Sequence, residues 1–224
     1  MLTRHLRRLG AALFTPLAGG LVRLGVSPDA VTVVGTLGVV LAALWFFPRG
    51  EFVVGPLAVT VVVLADSVDG MMARLLAARG VRRSGAWGAF LDSTLDRVAD
   101  AAIFVGLVLW FAGQDAGATL GTTAEVGLGA ALACLVLGSV VPYARARAEG
   151  LGMTASGGIA ERADRVTVVL VAVFVHGLGA PGWVLVGVLV LLALASAWTV
   201  VQRMVSVHRQ ARARLADETP VAGR

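Results

Sequence analysis

Four aspartates are the residues that most need a chemical explanation. Asp66 and Asp69 are three positions apart, Asp92 and Asp96 four, and all lie in or beside apolar sequence. At about 3.6 residues per turn, each pair falls on one helix face. An antiparallel hairpin of the two helices can gather all four carboxylates. Like charges so close repel or hold protons unless a divalent cation neutralises them. Oxygen-only ligands favour a hard ion such as Mg2+, with Mn2+ as the alternative. A charged side chain at membrane depth costs roughly 2.5–3.5 kcal/mol on insertion scales, so four without a purpose are expensive. A single aspartate is often explained by an ion pair, here with Arg74 or Arg97, but four at these spacings are not. Asp100 continues the series as a neighbour or salt-bridge partner.

The residues around the first pair fit the same chemistry. Gly70, directly after Asp69, lets a phosphate or metal-bound ligand approach the backbone; close helix packing is the competing explanation for this glycine. Arg74 follows four residues later on the same face, and its planar guanidinium suits a diphosphate.

The elements that must carry these residues are membrane helices. Of 224 residues, 58% are hydrophobic and only 15% charged, with 28 glycines. A soluble domain of this size carries far more charge, and glycine suits close helix approach in lipid. All 19 basic residues are arginine, and the net charge is +5. No basic face interleaved with aromatics is present, so nucleic acid is not an expected partner. The arginines sit at the ends of apolar segments instead. Cys134, alone in an apolar run, excludes an internal disulfide.

A span needs roughly 20 mainly apolar residues. Six segments qualify, near 29–48, 53–78, 88–112, 124–148, 162–180 and 182–206. Ahead of them, Leu2 to Leu21 alternates arginines with leucines and reads as an amphipathic helix on the membrane surface. Met1 to Arg23 lacks the apolar stretch of a cleavable signal. The expected fold is all-α and integral to the membrane, with residues 1–208 as one domain of six transmembrane helices and residues 1–21 as its surface helix. Residues 209–224 form a polar tail, disordered or at most a frayed extension of the last helix. Arginines gather in the N-terminal segment, 79–83, 145–165 and the tail, so both termini are expected in the cytoplasm of a multi-pass cell-membrane protein.

Asp66-x2-Asp69-Gly70-x2-Ala73-Arg74 followed by Gly88-x3-Asp92-x3-Asp96 resembles the signature of the CDP-alcohol phosphatidyltransferases. Ser27 to Gly35 is similar to the first-helix segment of that family. The resemblance implies an enzyme that takes CDP-diacylglycerol from the surrounding membrane lipids, with its active site facing the cytoplasm. It places Asp29, Ala30, Val31, Thr32, Gly70, Ala73, Arg74, Ser84 and Gly88 around the CDP-lipid. It places metal on Asp66, Asp69, Asp92 and Asp96, and Asp96 is our choice of general base. Tyr143 to Glu149, Glu161 to Arg165 and Gln202-Arg203 are most similar to the actinobacterial members whose acceptor is inositol phosphate. That likeness implies that Arg145, Arg162, Arg165 and Arg203 receive the phosphate of inositol 1-phosphate or another phosphorylated alcohol. Each of these arginines has a topology-setting or headgroup role as its alternative, and for Arg147 that role is preferred. The family implies a homodimer.

Other readings stay open at this stage. Glycerol 3-phosphate as acceptor keeps the chemistry and changes the product. A membrane prenyltransferase also holds diphosphates through magnesium, but it leaves Gly70, Ala73, Arg74 and Gly88 unmatched. A cation transporter would use the carboxylates and leave the arginines unexplained.

Overall fold

The computed structural model describes residues 16–78, 80, 85–113, 122–158 and 162–218, apart from the side chains of Asp66, Ser67, Thr122 and residues 216–218. All regular structure among these residues is helical: α1 (16–23), α2 (Pro28–Phe46), α3 (Val54–Ala78), α4 (Gly85–Gly113), α5 (Thr122–Gly150), α6 (Arg162–Gly177) and α7 (Gly182–Glu218). The six segments expected from apolar length correspond to α2–α7. Four of them, α2 with its following turn, α3, α5 and α7, are long and apolar enough to cross a membrane. The chain is therefore read as a multi-pass membrane protein. α6 has 16 residues, and α4 carries Asp92, Asp96, Arg97 and Asp100. Most of the expected surface helix lies outside the described residues; its final part is helical. α7 continues through residues 209–218 of the expected tail.

The chain divides into two compact units, residues 1–106 and 107–224. In the first, α2 begins where Ser27 caps it: the side chain accepts from the Ala30 N–H at 3.1 Å. Pro28 supplies a preset φ at the first turn, and Asp29 places negative charge at the positive helix end. A 3₁₀ turn, Phe47–Arg49, closes on Gly50 in the left-handed region and returns the chain into α3, which packs along α2. Ala18 of α1 is buried with Val68 and Met72 of α3, edged by Leu21, Val22 and Val31. Gly106 allows α4 to lie against α2, since a Cβ there would stand 2.7 Å from the Ala43 carbonyl oxygen.

In the second unit α7 packs against both α5 and α6. Val169 and Val173 of α6, Leu185 and Leu189 of α7 and Cys134 of α5 are all buried. The Cys134 thiol donates to the Leu189 carbonyl at 3.3 Å, the satisfied core position expected of a lone cysteine. Large apolar side chains elsewhere face outward, among them Leu41, Val61, Leu64, Leu191 and Trp198. That distribution suits lipid as the surrounding solvent.

Candidate active site

Three helix faces of the first unit line an open cavity of about 410 Å³. α2 contributes Pro28, Asp29 and Thr32, α3 contributes Asp69, Gly70, Ala73 and Ala77, and α4 contributes Gly85, Gly88, Ala89 and Asp92. On each helix these positions recur at three- and four-residue spacing, so one face of each looks inward. The chemistry of the pattern is thus carried by small residues that leave room and by three carboxylates, Asp29, Asp69 and Asp92, that line it. No described atom lies within 4 Å of a Cβ built on Gly70 or Gly88. Gly70 therefore faces open cavity, and helix packing does not account for it.

Thr32 joins the first helix to the carboxylates. Its hydroxyl is buried, 3.1 Å from the Pro28 carbonyl oxygen and 2.5 Å from Asp69 Oδ2, to which it donates. The Gly70 N–H donates to the other oxygen, Oδ1. Asp69 is held from both sides by donors, as a metal ligand oriented by its neighbours would be.

The other sequence-selected residues fall as follows. Asp92 lines the cavity with Asp69. Asp96 sits one turn farther along α4, with Oδ2 3.8 Å from Arg97 Nη2. Arg97 also approaches the buried Asp100 at 3.9 Å, the neighbour role expected for Asp100. Asp66 lies one turn before Asp69 on α3, but its side chain is outside the described residues, as is all of Ser84. Ala30 spends its N–H on the Ser27 cap, and Val31 packs into the Ala18 cluster. Arg74 is exposed, next to the lining residue Ala73.

Among the described residues, no cluster of three side chains is close enough to hold a metal ion. The donors that are present fit one nonetheless. Asp69 and Asp92 share the cavity, all of their donor atoms are oxygen, and the helical backbone places Asp66 and Asp96 one turn from each. Asp69, Asp92, Asp66 and Asp96 are the residues that would hold it.

In the second unit the four arginines divide. Arg145, near the end of α5, is exposed and pairs with Glu149 at 2.8 Å. Arg162 opens α6 and is half-buried. Arg165 is 2% exposed and Arg203 6% exposed, which for guanidinium groups demands polar company. Both find it on α5. Arg165 Nη2 is 3.4 Å from the Gly138 carbonyl oxygen, and Arg203 Nη1 donates to Val141 one turn on. Pro142 sits inside α5 and has no N–H to give Gly138 four residues back. The carbonyl it leaves is the one Arg165 approaches. Arg203 Nε also donates to the Gly157 carbonyl at 3.1 Å.

Sequence reasoning missed three things here: the Thr32–Asp69 bond, the carbonyl vacated by Pro142, and the contacts of α7 with the 151–158 segment. A proline inside an apolar run did signal the second. Nothing local signalled the other two, which join residues 37 and 56 positions apart.

Comparison with known proteins gives the class. A model of the CDP-alcohol phosphatidyltransferase family matches residues 25–147, which hold every cavity-lining residue. The chain belongs to that family and is an enzyme of its class. It is 45% identical over 216 residues to the phosphatidylinositol phosphate synthase of Streptomyces avermitilis, covering 94% of this chain and 84% of that protein. Phosphatidylinositol phosphate synthase from Mycobacterium tuberculosis with CDP-DAG bound superposes with a TM-score of 0.77 at 39% identity, over 88% of this chain and 94% of that one. The same enzyme in complex with manganese and citrate gives a TM-score of 0.76 at 39% identity, over 87% and 88%. Members of this family use divalent metals such as Mg2+ or Mn2+, in keeping with the oxygen donors here.

Proposed function

We propose that this protein transfers the phosphatidyl group of CDP-diacylglycerol to the hydroxyl of inositol phosphate, releasing CMP and phosphatidylinositol phosphate. The observation that carries the reading is the cavity in which the signature residues of three helices meet, Asp69 and Asp92 with Thr32 around the open faces of Gly70 and Gly88. The names of the relatives supply the acceptor.

In this reading the glycines and alanines of the cavity admit the diphosphate close to the α3 and α4 backbones. A bound divalent ion would withdraw charge from the diphosphate oxygens. Thr32 holds Asp69 in the orientation a ligand needs, and Arg74 carries charge on the leaving nucleotide. The acceptor oxygen bonds to the β-phosphorus as the bond from that phosphorus to the bridging oxygen breaks. CMP leaves with the bridging oxygen and its electron pair, and Asp96 takes the hydroxyl proton. Arg145, Arg162, Arg165 and Arg203 receive the acceptor's phosphate, the two buried ones prepositioned by carbonyls of α5. The cytidine part of the donor lies toward Asp29 and Ser84.

Six spans, a surface helix at the N-terminus and cytoplasmic termini in the cell membrane complete the proposal, supported by the apolar length of α2, α3, α5 and α7 and by the distribution of arginine. So do a single membrane domain over 1–208, surrounding membrane lipids as neighbours and a homodimeric assembly. The test is CMP release by purified protein given CDP-diacylglycerol, Mg2+ and inositol 1-phosphate. Release abolished by EDTA is expected. Release with glycerol 3-phosphate and none with inositol 1-phosphate would overturn the acceptor; release with no phosphorylated alcohol would overturn the reaction.

A further inference from the structure

α7 is 37 residues long, about 55 Å at 1.5 Å per residue. Roughly 20 residues suffice to cross the hydrocarbon, so a long C-terminal part is left over for another task. The segment 151–158 is bound to it. α5 ends with Gly152 in the left-handed region, its N–H donating to Glu149 and the Met153 N–H to Ala148. Arg214 donates to the carbonyls of Leu151 (3.0 Å) and Gly152, placing a cation at that helix end. Gln210 reads both backbone groups of Thr154. Its Oε1 accepts from the Thr154 N–H at 2.9 Å, and its Nε2 donates to the Thr154 carbonyl at 2.6 Å. Ser206 adds a donor to the same carbonyl at 3.4 Å. Arg203 Nε donates to Gly157, and Gly158 lies so close to Thr199 that any Cβ would collide with it.

These contacts run antiparallel in register. Thr199, Arg203, Ser206, Gln210 and Arg214 share one face of α7. From Arg214 to Thr199 the helix rises about 22 Å. Along that rise these residues meet the segment in reverse order, from Leu151 and Gly152 to Gly158. Between Gln210 and Arg203 the helix rises about 10 Å, and three extended residues from Thr154 to Gly157 reach about the same distance. Thr154 and Gly157 are both tied to α7, three residues apart, so what fixes Thr154 restricts the carbonyl of Gly157 and with it the guanidinium of Arg203.

We propose that Gln210 is a positioning residue for acceptor binding: by clamping the backbone of Thr154 it keeps the 151–158 segment taut along α7, so that Gly157 aims Arg203 at the acceptor's phosphate. This rests on the reading of Arg203 as a phosphate-binding residue. A carboxamide supplies on one planar group the donor and the acceptor that one residue's C=O and N–H require.

The experiment compares wild type, Gln210→Leu and Thr154→Ala in CMP release, varying each substrate in turn. The acceptor is whichever of inositol 1-phosphate and glycerol 3-phosphate the wild type uses, so a wrong acceptor assignment shows in the wild type alone. Gln210→Leu should raise the acceptor KM about ten-fold and leave the CDP-diacylglycerol KM within about two-fold. Thr154→Ala keeps both backbone bonds and loses only the 3.3 Å contact of its hydroxyl, so it should match wild type within about two-fold. Amide hydrogen exchange of the whole protein gives a readout apart from turnover: Gln210→Leu should lose protection at 154–158, with the remaining helices unchanged. An unchanged acceptor KM would overturn the proposal. So would a parallel rise for both substrates, which marks a merely structural role. A wild type inactive with both phosphorylated acceptors would overturn it together with the reading on which it rests.

Discussion

Replacing Thr32 by valine removes one hydroxyl and leaves a side chain of the same shape at a position only 6% exposed. The hydroxyl donates to Asp69 Oδ2 at 2.5 Å, so the substitution strips one of the two donors that orient this carboxylate. A hydrogen bond to a charged group contributes about 1.5–3 kcal/mol, and at about 1.4 kcal/mol per factor of ten that is roughly 10- to 150-fold. Loss of an outer partner of a metal ligand typically costs about 10–100-fold in metal affinity or activity, which narrows the expectation to the same range. Because Thr32 acts through Asp69, the loss should appear in the metal requirement.

The assay is CMP release against Mg2+ concentration at saturating lipid, paired with Mn2+ binding followed by electron paramagnetic resonance. Thr32→Val should raise the Mg2+ concentration for half-maximal activity and weaken Mn2+ binding by the same 10–100-fold, about the range for such outer partners. Thr32→Ser keeps the hydroxyl and should restore most of the loss. At saturating metal the CDP-diacylglycerol KM should stay within about three-fold of wild type. An unchanged Mg2+ requirement with a raised lipid KM would refute the reasoning and leave Thr32 as a direct nucleotide contact only.

Asp69→Asn and Asp92→Asn should each lower CMP release about 100-fold or more without loss of helical circular dichroism, since each removes a charge that faces the cavity. Gly70→Leu should abolish activity while the protein melts within about 3 °C of wild type, because the new side chain enters open space. Gly106→Val should instead prevent purification of folded protein, its Cβ being driven into the Ala43 carbonyl. Pro142→Ala returns an N–H to the Gly138 carbonyl, so Arg165 competes with the helix for it; the acceptor KM should rise about three-fold with the lipid KM unchanged.

The site was legible in the sequence as far as helical spacing carries. Asp69, Gly70 and Ala73 on one helix and Gly88 and Asp92 on the next recur at three and four residues, and α3 and α4 turn those intervals into two cavity walls. Apolar length located α2 through α7 because a segment in lipid satisfies its backbone internally. Spacing says nothing about partners on other helices. Thr32 stood out only through resemblance, as part of the nucleotide site, and its bond to Asp69 needed the packing of α2 on α3. Polarity was a poor guide to the end of α7, since a charged, apolar-poor stretch can stay helical when its side chains satisfy a neighbouring backbone, as Gln210 and Arg214 do.

The buried arginines show the same limit from the energetic side. A guanidinium hidden from water is costly unless its donors are used, and the sequence offered carboxylates as the obvious partners. Arg165 and Arg203 also reach main-chain carbonyls of α5, and one of those carbonyls lacks its helical donor because Pro142 cannot supply it. A carbonyl orients a cation without cancelling its charge, whereas a carboxylate would do both. Carbonyl contacts of this kind orient a guanidinium toward a dianionic phosphate, while Glu149 offsets part of the charge of Arg145. Among the four acceptor candidates, Arg165 and Arg203, buried and oriented by carbonyls, should carry most of the phosphate affinity. Arg203→Gln should raise the acceptor KM well beyond Arg145→Gln, and equal effects of the two substitutions would show that carbonyl orientation is not what distinguishes them.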